Sequence, residues 1–72
     1  MAIMIYLNGK KEEIETGMSL SNLLAAKKIR PEVVTVELND SIIERARYGE
    51  ALLKDKDRVE FVYYMGGGRY AF

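Results

Sequence analysis

The chain has 72 residues, which is enough for one domain with a single hydrophobic core. Hydrophobic residues make up 49% of it and charged residues 31%, a balance typical of globular proteins that excludes an intrinsically disordered chain. Lysine plus arginine and aspartate plus glutamate each number 11, so the formal net charge is zero, and without a basic excess we expect no nucleic-acid partner.

A β-strand is predicted at the start of the chain. Isoleucine or leucine occupies every second position of residues 3–7, the period of two that is typical of a half-buried strand. Asn8 and Gly9 follow, and both residue types tolerate the positive φ angles of a two-residue hairpin turn. Residues 10–16 are therefore predicted to return as a second strand, with Ile14 facing the core.

A short amphipathic helix is predicted next, with Ser19 as its N-cap. Lys27 and Lys28 are predicted to lie in its last turn, where they oppose the negative end of the helix dipole, and Pro31 ends the helix soon afterwards. Three leucines share one face of this helix at helical spacing, and we expect that face to pack on a sheet: Leu20, Leu23 and Leu24.

A central strand is predicted over residues 33–38, which are rich in β-branched side chains, and the turn-forming pair Asn39-Asp40 ends it. The segment that follows has two interpretations. Residues 41–44 match the spacing of a helix capping box, whereas Ile42 and Ile43 also suit a short edge strand. We favour the short strand, followed by a loop or a single helical turn.

The last strand is predicted over residues 58–64, after a charged turn at residues 54–57. Leu52 and Leu53, just before that turn, are both predicted to contact the core. The resulting order is strand, strand, helix, strand, short strand, strand. This order predicts an α+β roll in which one main helix packs on one face of a mixed sheet of four to five strands.

Three consecutive glycines, Gly66, Gly67 and Gly68, follow the last predicted strand. Glycine loses more backbone entropy on ordering than any other residue, so we expect a domain of residues 1–65 followed by a flexible tail of residues 66–72. A glycine run near a chain end is often inert. This run, however, follows directly on an apolar strand, which would hold its start while its end reaches into a narrow channel of another protein.

The end of the last predicted strand is a candidate docking surface for a partner enzyme. Aromatic residues and methionine are enriched at protein interfaces, so we expect the outward-facing members of this segment to form the surface together with the glycines. The simpler interpretation is that at least half of these residues belong to the core, and both interpretations can hold. The candidates are Val62, Tyr63, Tyr64 and Met65.

Little in the chain is equipped for catalysis. Cysteine and histidine are both absent, which removes thiol nucleophiles, thiolate and imidazole metal ligands, and the commonest general base. Serine and lysine are present without an accompanying base or metal constellation. We therefore expect no enzymatic activity, no metal and no cofactor bound by the chain itself. No apolar run approaches the roughly 20 residues of a membrane span, and the lack of cysteine agrees with the cytoplasm.

Six short features occur in a particular order over nearly the whole chain. They are Leu7-Asn8-Gly9-Lys10, the helix start at residues 19–24, Val36-Glu37-Leu38-Asn39, Ile43 with Arg45 and Tyr48, Asp57-Arg58-Val59-Glu60-Phe61-Val62, and Gly66-Gly67-Gly68. None is specific alone. Together, in this order and at this length, they resemble the ThiS group of ubiquitin-like sulfur carriers, which is related to the MoaD group.

The resemblance implies a β-grasp (ubiquitin-like) fold and a role as a protein substrate. In that family an E1-like adenylating enzyme uses ATP to activate the C-terminal glycine carboxylate, which then becomes a thiocarboxylate. The thiocarboxylate donates sulfur, typically through thiazole synthase for the thiazole of thiamin, or to another sulfur-accepting enzyme. The residue modified here would be Gly68, with Gly67 as the alternative. A different function remains open, that of a ubiquitin-like interaction module or protein modifier without sulfur transfer.

The chain departs from the family pattern in two places. Where many relatives have Asp-Gly-Asp before the last strand, it has Asp55-Lys56-Asp57, which we expect to leave the fold intact. Family members usually end at the glycines, whereas this chain continues for four residues, here termed the extension: Arg69, Tyr70, Ala71 and Phe72.

The extension carries the terminal carboxylate up to about 14 Å beyond Gly68, so the chain as written is expected to be an inactive precursor. Three interpretations are open. A processing protease removes the extension after Gly68, or less favourably after Gly67; the extension is accidental; or Tyr70 and Phe72 bind back onto the domain. We favour processing.

Overall fold

One mixed sheet is the largest element of the computed structural model, which describes residues 1–65 and 69–71. Five strands follow the order β2-β1-β5-β3-β4, and β6 pairs with β5 off this path. β1 and β5 are parallel, and the other pairs are antiparallel. The strand bounds are β1 Ala2–Leu7, β2 Lys10–Glu15, β3 Val34–Leu38, β4 Ser41–Ile43, β5 Arg58–Met65 and β6 Arg69–Ala71.

One helix, α1 (Leu20–Ala26), packs on a single face of this sheet. Its three predicted leucines are almost fully buried. They join the buried side chains of four strands in one apolar cluster, so the predicted helix-on-sheet arrangement is confirmed. The sheet residues of the cluster are Ile5, Ile14, Val34, Val36, Val59 and Phe61.

Local turn chemistry accounts for the first hairpin. Asn8 has φ of 50° and Gly9 has φ of 83°, the left-handed values that a two-residue turn between antiparallel strands requires. Leu7 and Lys10 are therefore cross-strand partners. The predicted hairpin is confirmed, with β2 ending one residue earlier than expected.

A capping box starts the helix. The Asn22 N–H donates to Ser19 Oγ at 3.1 Å, and the Ser19 N–H donates to Asn22 Oδ1 at 3.0 Å. Two otherwise unpaired N–H groups of the first turn are satisfied in this way. The predicted N-cap at Ser19 is confirmed.

The prediction that two lysines occupy the last helical turn is wrong. Lys27 is the C-cap residue and Lys28 lies beyond it, with a left-handed φ of 60°. The Ile29 N–H donates to the Leu24 carbonyl at 2.9 Å, and the Lys28 N–H donates to the Ala25 carbonyl at 3.0 Å. This pair of bonds is a Schellman motif, which closes the helix one residue before the first lysine.

The segment after β3 adopts the favoured arrangement of a short strand and a single helical turn. Asn39 and Asp40 both have positive φ and reverse the chain into β4. A 3-10 turn, Arg45–Arg47, follows β4. A further 3-10 turn, Pro31–Val33, precedes β3, so that strand begins one residue later than predicted.

Of the two leucines predicted as core contacts, only one is buried. Leu53 is 3% exposed and Leu52 is 56% exposed. Leu52 forms an isolated antiparallel bridge with Ser19, and neighbouring residues of extended backbone point to opposite sides. The prediction for Leu52 is wrong for that reason.

The loop at Asp55-Lys56-Asp57 joins three parts of the sheet. The Met4 N–H of β1 donates to Asp55 Oδ1 at 2.9 Å, and the Asn39 side-chain amide donates to Asp57 Oδ1 at 3.0 Å. Lys56 has φ of 73°, a left-handed value that glycine adopts more easily than other residues. The departure from Asp-Gly-Asp therefore leaves the fold intact at the cost of a strained lysine.

Replacing Lys56 with glycine is expected to stabilise the domain. The left-handed conformation costs a non-glycine residue about 1 kcal/mol or more, and the greater freedom of glycine in the unfolded chain offsets part of the gain. We expect an increase of about 0.5 kcal/mol in the free energy of unfolding, measured by urea denaturation. Lys54→Gly is the control: φ is not positive there, so it should destabilise. A loss of stability in Lys56→Gly would contradict the assignment of strain.

Candidate functional site

β5 is the strand that carries the candidate tail, and it is held on both sides. Its first two residues pair with β1, and residues 59–63 pair with β3. Val59 is fully buried and Phe61 is 5% exposed. The strand ends at Met65. The sheet and the core together therefore fix the position at which the chain enters the glycine tail, meaning Gly66, Gly67 and Gly68.

The predicted modification site lies outside the described residues. Gly66, Gly67 and Gly68, with Gly68 as the expected thiocarboxylate position and Gly67 as its alternative, fall between Met65 and the start of β6. Their role therefore stays a prediction.

Two of the four predicted docking residues, Val62 and Tyr63, lie on opposite faces of β5. Tyr63 is half-buried and packs against the core, where its ring meets that of Phe61 edge-on at a centroid distance of 6.4 Å. Val62 is half-buried and lies on the opposite face, away from the helix. Tyr64 and Met65 belong to β5, and their side chains are outside the described part of the chain.

Asn8 closes the edge of β5 where β1 turns away, a role that sequence reasoning missed. Its N–H donates to the Val59 carbonyl at 2.9 Å, and its Oδ1 accepts from the Phe61 N–H at 2.8 Å. The Asn-Gly pattern signals the turn, but nothing in it identifies a partner 53 positions along the chain. Asn8 thus forms the hairpin and also satisfies the backbone of the strand that leads to the tail.

The extension pairs with β5 through its backbone. Residues 69–71 form β6, in which Met65 faces Arg69 and Tyr63 faces Ala71. Tyr63 also pairs with Val34 of β3, so β6 must lie on the other edge of β5, the edge that β1 occupies lower down. This arrangement agrees with the interpretation that the extension binds back onto the domain, while Phe72 lies outside the described residues.

No metal centre or membrane helix accompanies this strand. Within residues 1–65 and 69–71, no group of three histidine, cysteine, aspartate or glutamate side chains is arranged to hold a metal ion. In the same residues, α1 and the 3-10 turns are too short to cross a bilayer. The described residues instead provide β5, a strand that is paired on both sides and that leads into the glycine tail.

Comparison with known proteins gives consistent matches. The ThiS family model matches residues 2–68, which leaves only Met1 and the extension outside it. The sulfur carrier protein ThiS of Bacillus subtilis is 42% identical over 67 residues, a match that covers 90% of this chain and 100% of that protein.

A longer relative is also similar. A thiazole synthase of Magnetococcus marinus is 38% identical over 66 residues, which cover 92% of this chain. The chain spans 20% of the length of that protein. The similarity therefore concerns one segment of the longer relative.

Solved structures agree with the sequence comparison. The crystal structure of the thiamine biosynthesis protein ThiS from Geobacter metallireducens superimposes with a TM-score of 0.80 at 39% identity. The match covers 92% of this chain and 100% of that one. The predicted β-grasp fold is confirmed, and the chain belongs to the ThiS family.

Proposed function

We propose that the chain is a sulfur carrier protein of thiamin biosynthesis, and that Gly68 is the residue that carries the sulfur. The observation that supports this most is the position of the glycine tail directly after β5, a strand paired on both sides and anchored by buried Val59 and Phe61. Such a strand fixes the position at which the tail begins. The family match that ends at residue 68 supports the same assignment.

The chemistry needs only a free glycine carboxylate from this chain. A carboxylate oxygen of Gly68 attacks the α-phosphorus of ATP and displaces pyrophosphate, which gives an acyl adenylate. A hydrosulfide equivalent then attacks the acyl carbon and displaces AMP, leaving a thiocarboxylate. The described residues include no histidine or cysteine to catalyse either step. An E1-like adenylating enzyme supplies ATP binding and catalysis, so the chain is a substrate and not an enzyme.

Processing must precede activation because the Gly68 carbonyl is joined to Arg69 by a peptide bond, so Gly68 has no free carboxylate. A protease adds water across the Gly68–Arg69 peptide bond, which leaves a carboxylate on Gly68 and an ammonium group on Arg69. Cleavage one residue earlier, after Gly67, is the less favoured alternative. In either case the product ends in glycine, as the chemistry requires.

The sulfur acceptor we propose is a thiazole synthase. Support comes from the relatives that bear that name and contain a segment similar to this chain in 20% of their length. In these relatives, the segment that is similar to this chain belongs to the same polypeptide that bears the name thiazole synthase. We place the reaction in the cytoplasm, where ATP is available to the adenylating partner.

The docking surface we propose is the face of β5 that carries Val62, together with the strand end at Tyr64 and Met65. Val62 lies opposite Thr35 of β3 on the face away from the helix, so it is available to a partner. Tyr63 contributes less because its ring packs on the core.

The intact mass of the untagged protein, purified from its native cells, tests this function. We expect a species that lacks the extension and has one terminal oxygen exchanged for sulfur. Tandem fragmentation would place the sulfur on the last glycine and distinguish Gly68 from Gly67. If the only form were a full-length, unmodified chain in cells that make thiamin, the carrier function would be refuted. Isopeptide-linked adducts on lysines of other proteins would instead identify a protein modifier.

A further inference from the structure

The edge of β5 that faces β1 is covered by three successive partners. β1 pairs with Arg58 and Val59, and the side chain of Asn8 accepts the Phe61 N–H. β6 then pairs with residues 63–65. Without β6 the upper part of this edge would be open between the Asn8 side chain and the start of the glycine tail.

The direction of the backbone groups identifies which amides β6 covers. In a β-strand, alternate residues direct their N–H and C=O groups toward opposite neighbours. The Val59 carbonyl and the Phe61 N–H both bond to Asn8, so odd-numbered residues of β5 face the β1 edge. By the same alternation, the N–H and C=O groups of Tyr63 and Met65 face β6.

We propose that the extension is an intramolecular strand that keeps the unprocessed carrier latent. The register places Arg69 opposite Met65, and the Cα atoms of such partners lie about 4.5 to 5.5 Å apart. A fully extended connection of four residues would separate them by up to about 14 Å. While β6 is paired with the end of β5, the chain between Met65 and Arg69 therefore cannot extend into the active site of a partner enzyme.

This latency rests on the proposed carrier function and adds a second control to it. The peptide bond to Arg69 deprives Gly68 of a free carboxylate, and β6 in addition occupies the edge of β5 beside the start of the tail. Hydrolysis after Gly68 removes both obstacles in one step, since the released peptide keeps only three to four backbone hydrogen bonds to hold it. Short edge strands open readily, so a protease reaches the bond through local opening without unfolding the domain.

Hydrogen exchange on the full chain tests the strand without any partner. In wild-type protein we expect the amides of Tyr63 and Met65 to be protected. Ala71→Pro removes an N–H that faces the Tyr63 carbonyl, because Ala71 and Tyr63 are partners that exchange hydrogen bonds. We expect exchange of the Tyr63 and Met65 amides to accelerate about tenfold or more in this variant.

Two controls make the result specific to the extension. Ala71→Val keeps the N–H and raises strand propensity, so protection at Tyr63 should be retained or increased. The amides of Phe61 and Val62 should exchange equally in all three proteins, since the first is bonded to Asn8 and the second faces β3. A change at these two amides would mean that the substitution disturbs the whole sheet and would overturn the assignment to β6.

Limited trypsin digestion is a second, independent readout. Trypsin cuts after arginine, so it can cut between Arg69 and Tyr70 only when this segment leaves β5. Intact mass would follow the loss of the last three residues, which we expect to be about tenfold faster in Ala71→Pro than in wild type or in Ala71→Val. Equal cutting rates, or unprotected Tyr63 and Met65 amides in the wild-type chain, would overturn the proposed strand.

The two proposals fail in distinguishable ways. An unprotected edge in a chain that still acquires sulfur in cells would refute latency alone. Protected Tyr63 and Met65 amides in a chain that never acquires sulfur would refute the carrier function. The proposal that β6 keeps a carrier latent would then fail too, although the pairing of β6 with β5 would stand.

Discussion

A chain that ends at Gly68 and carries leucine in place of Gly67 is expected to lose thiocarboxylate formation by at least about 100-fold, because misplacing a reacting group by about 1 Å can cost that much. The tail must enter the active site of the adenylating enzyme, and a leucine side chain widens a segment that otherwise has no Cβ atom. Gly67 is the second residue after Met65, where β5 ends, and it lies outside the described residues and their core. The free energy of unfolding should therefore change by less than about 0.5 kcal/mol.

The measurement is the rate of thiocarboxylate formation with the adenylating enzyme, ATP and a sulfur donor, followed by intact mass. Gly49→Ala is the matched control, since a Cβ atom there would have Ser21 Oγ as its nearest neighbour, at 3.8 Å, an ordinary contact. This control should react at the wild-type rate. A folded Gly67→Leu variant that accepts sulfur as fast as the wild-type tail would exclude the glycine tail as the reacting segment.

Leu53→Ala is expected to lower the free energy of unfolding by about 2 to 5 kcal/mol, the usual range for truncating a buried leucine. Leu53 is 3% exposed and belongs to the single core cluster of the described residues. Its N–H donates to the Met18 carbonyl at 2.9 Å, a bond that alanine keeps, so the loss reports side-chain packing. Small domains have about 0.05 to 0.15 kcal/mol of stability per residue, and this substitution would remove a large part of it.

Leu52→Ala changes the same side chain one position earlier and is the natural control. Leu52 is 56% exposed, so its truncation should cost less than about 0.5 kcal/mol. Urea denaturation with a common slope would compare the two midpoints directly. Equal losses in the two variants would show that the burial of these neighbours does not differ in solution as it does in this structure.

Most of the fold followed from signals contained in a few neighbouring residues. The period of two in residues 3–7, the Asn8-Gly9 pair and the Ser19 cap each act through local backbone geometry, and each predicted element is present. The resemblance to the ThiS group supplied the β-grasp fold, and the family and structural matches agree with it. The function and the glycine tail were expected from the same short segments in the same order.

Errors in the sequence interpretation fall where two conformations are locally equivalent. The end of α1 is one example, because a pair of lysines favours a position near the helix C-terminus without fixing the residue at which the helix ends. The hydrogen bonds of the Schellman motif end the helix before Lys27 and Lys28. Only the structure shows which carbonyl groups accept these bonds. Leu52 and Leu53 are another example, since two adjacent leucines in an extended segment cannot both face the core.

The sequence by itself determined β1 to β5, α1 and their order, because dihedral preferences and apolar periodicity act over fewer than about ten residues. Tertiary structure alone decided the contacts between distant residues. Asn8 accepts a hydrogen bond from Phe61, 53 positions away, and β6 pairs with the end of β5 rather than extending from it. Both contacts exist because the assembled sheet leaves N–H and C=O groups of one edge of β5 unpaired, and unpaired backbone groups take whichever partner the folded chain brings within reach.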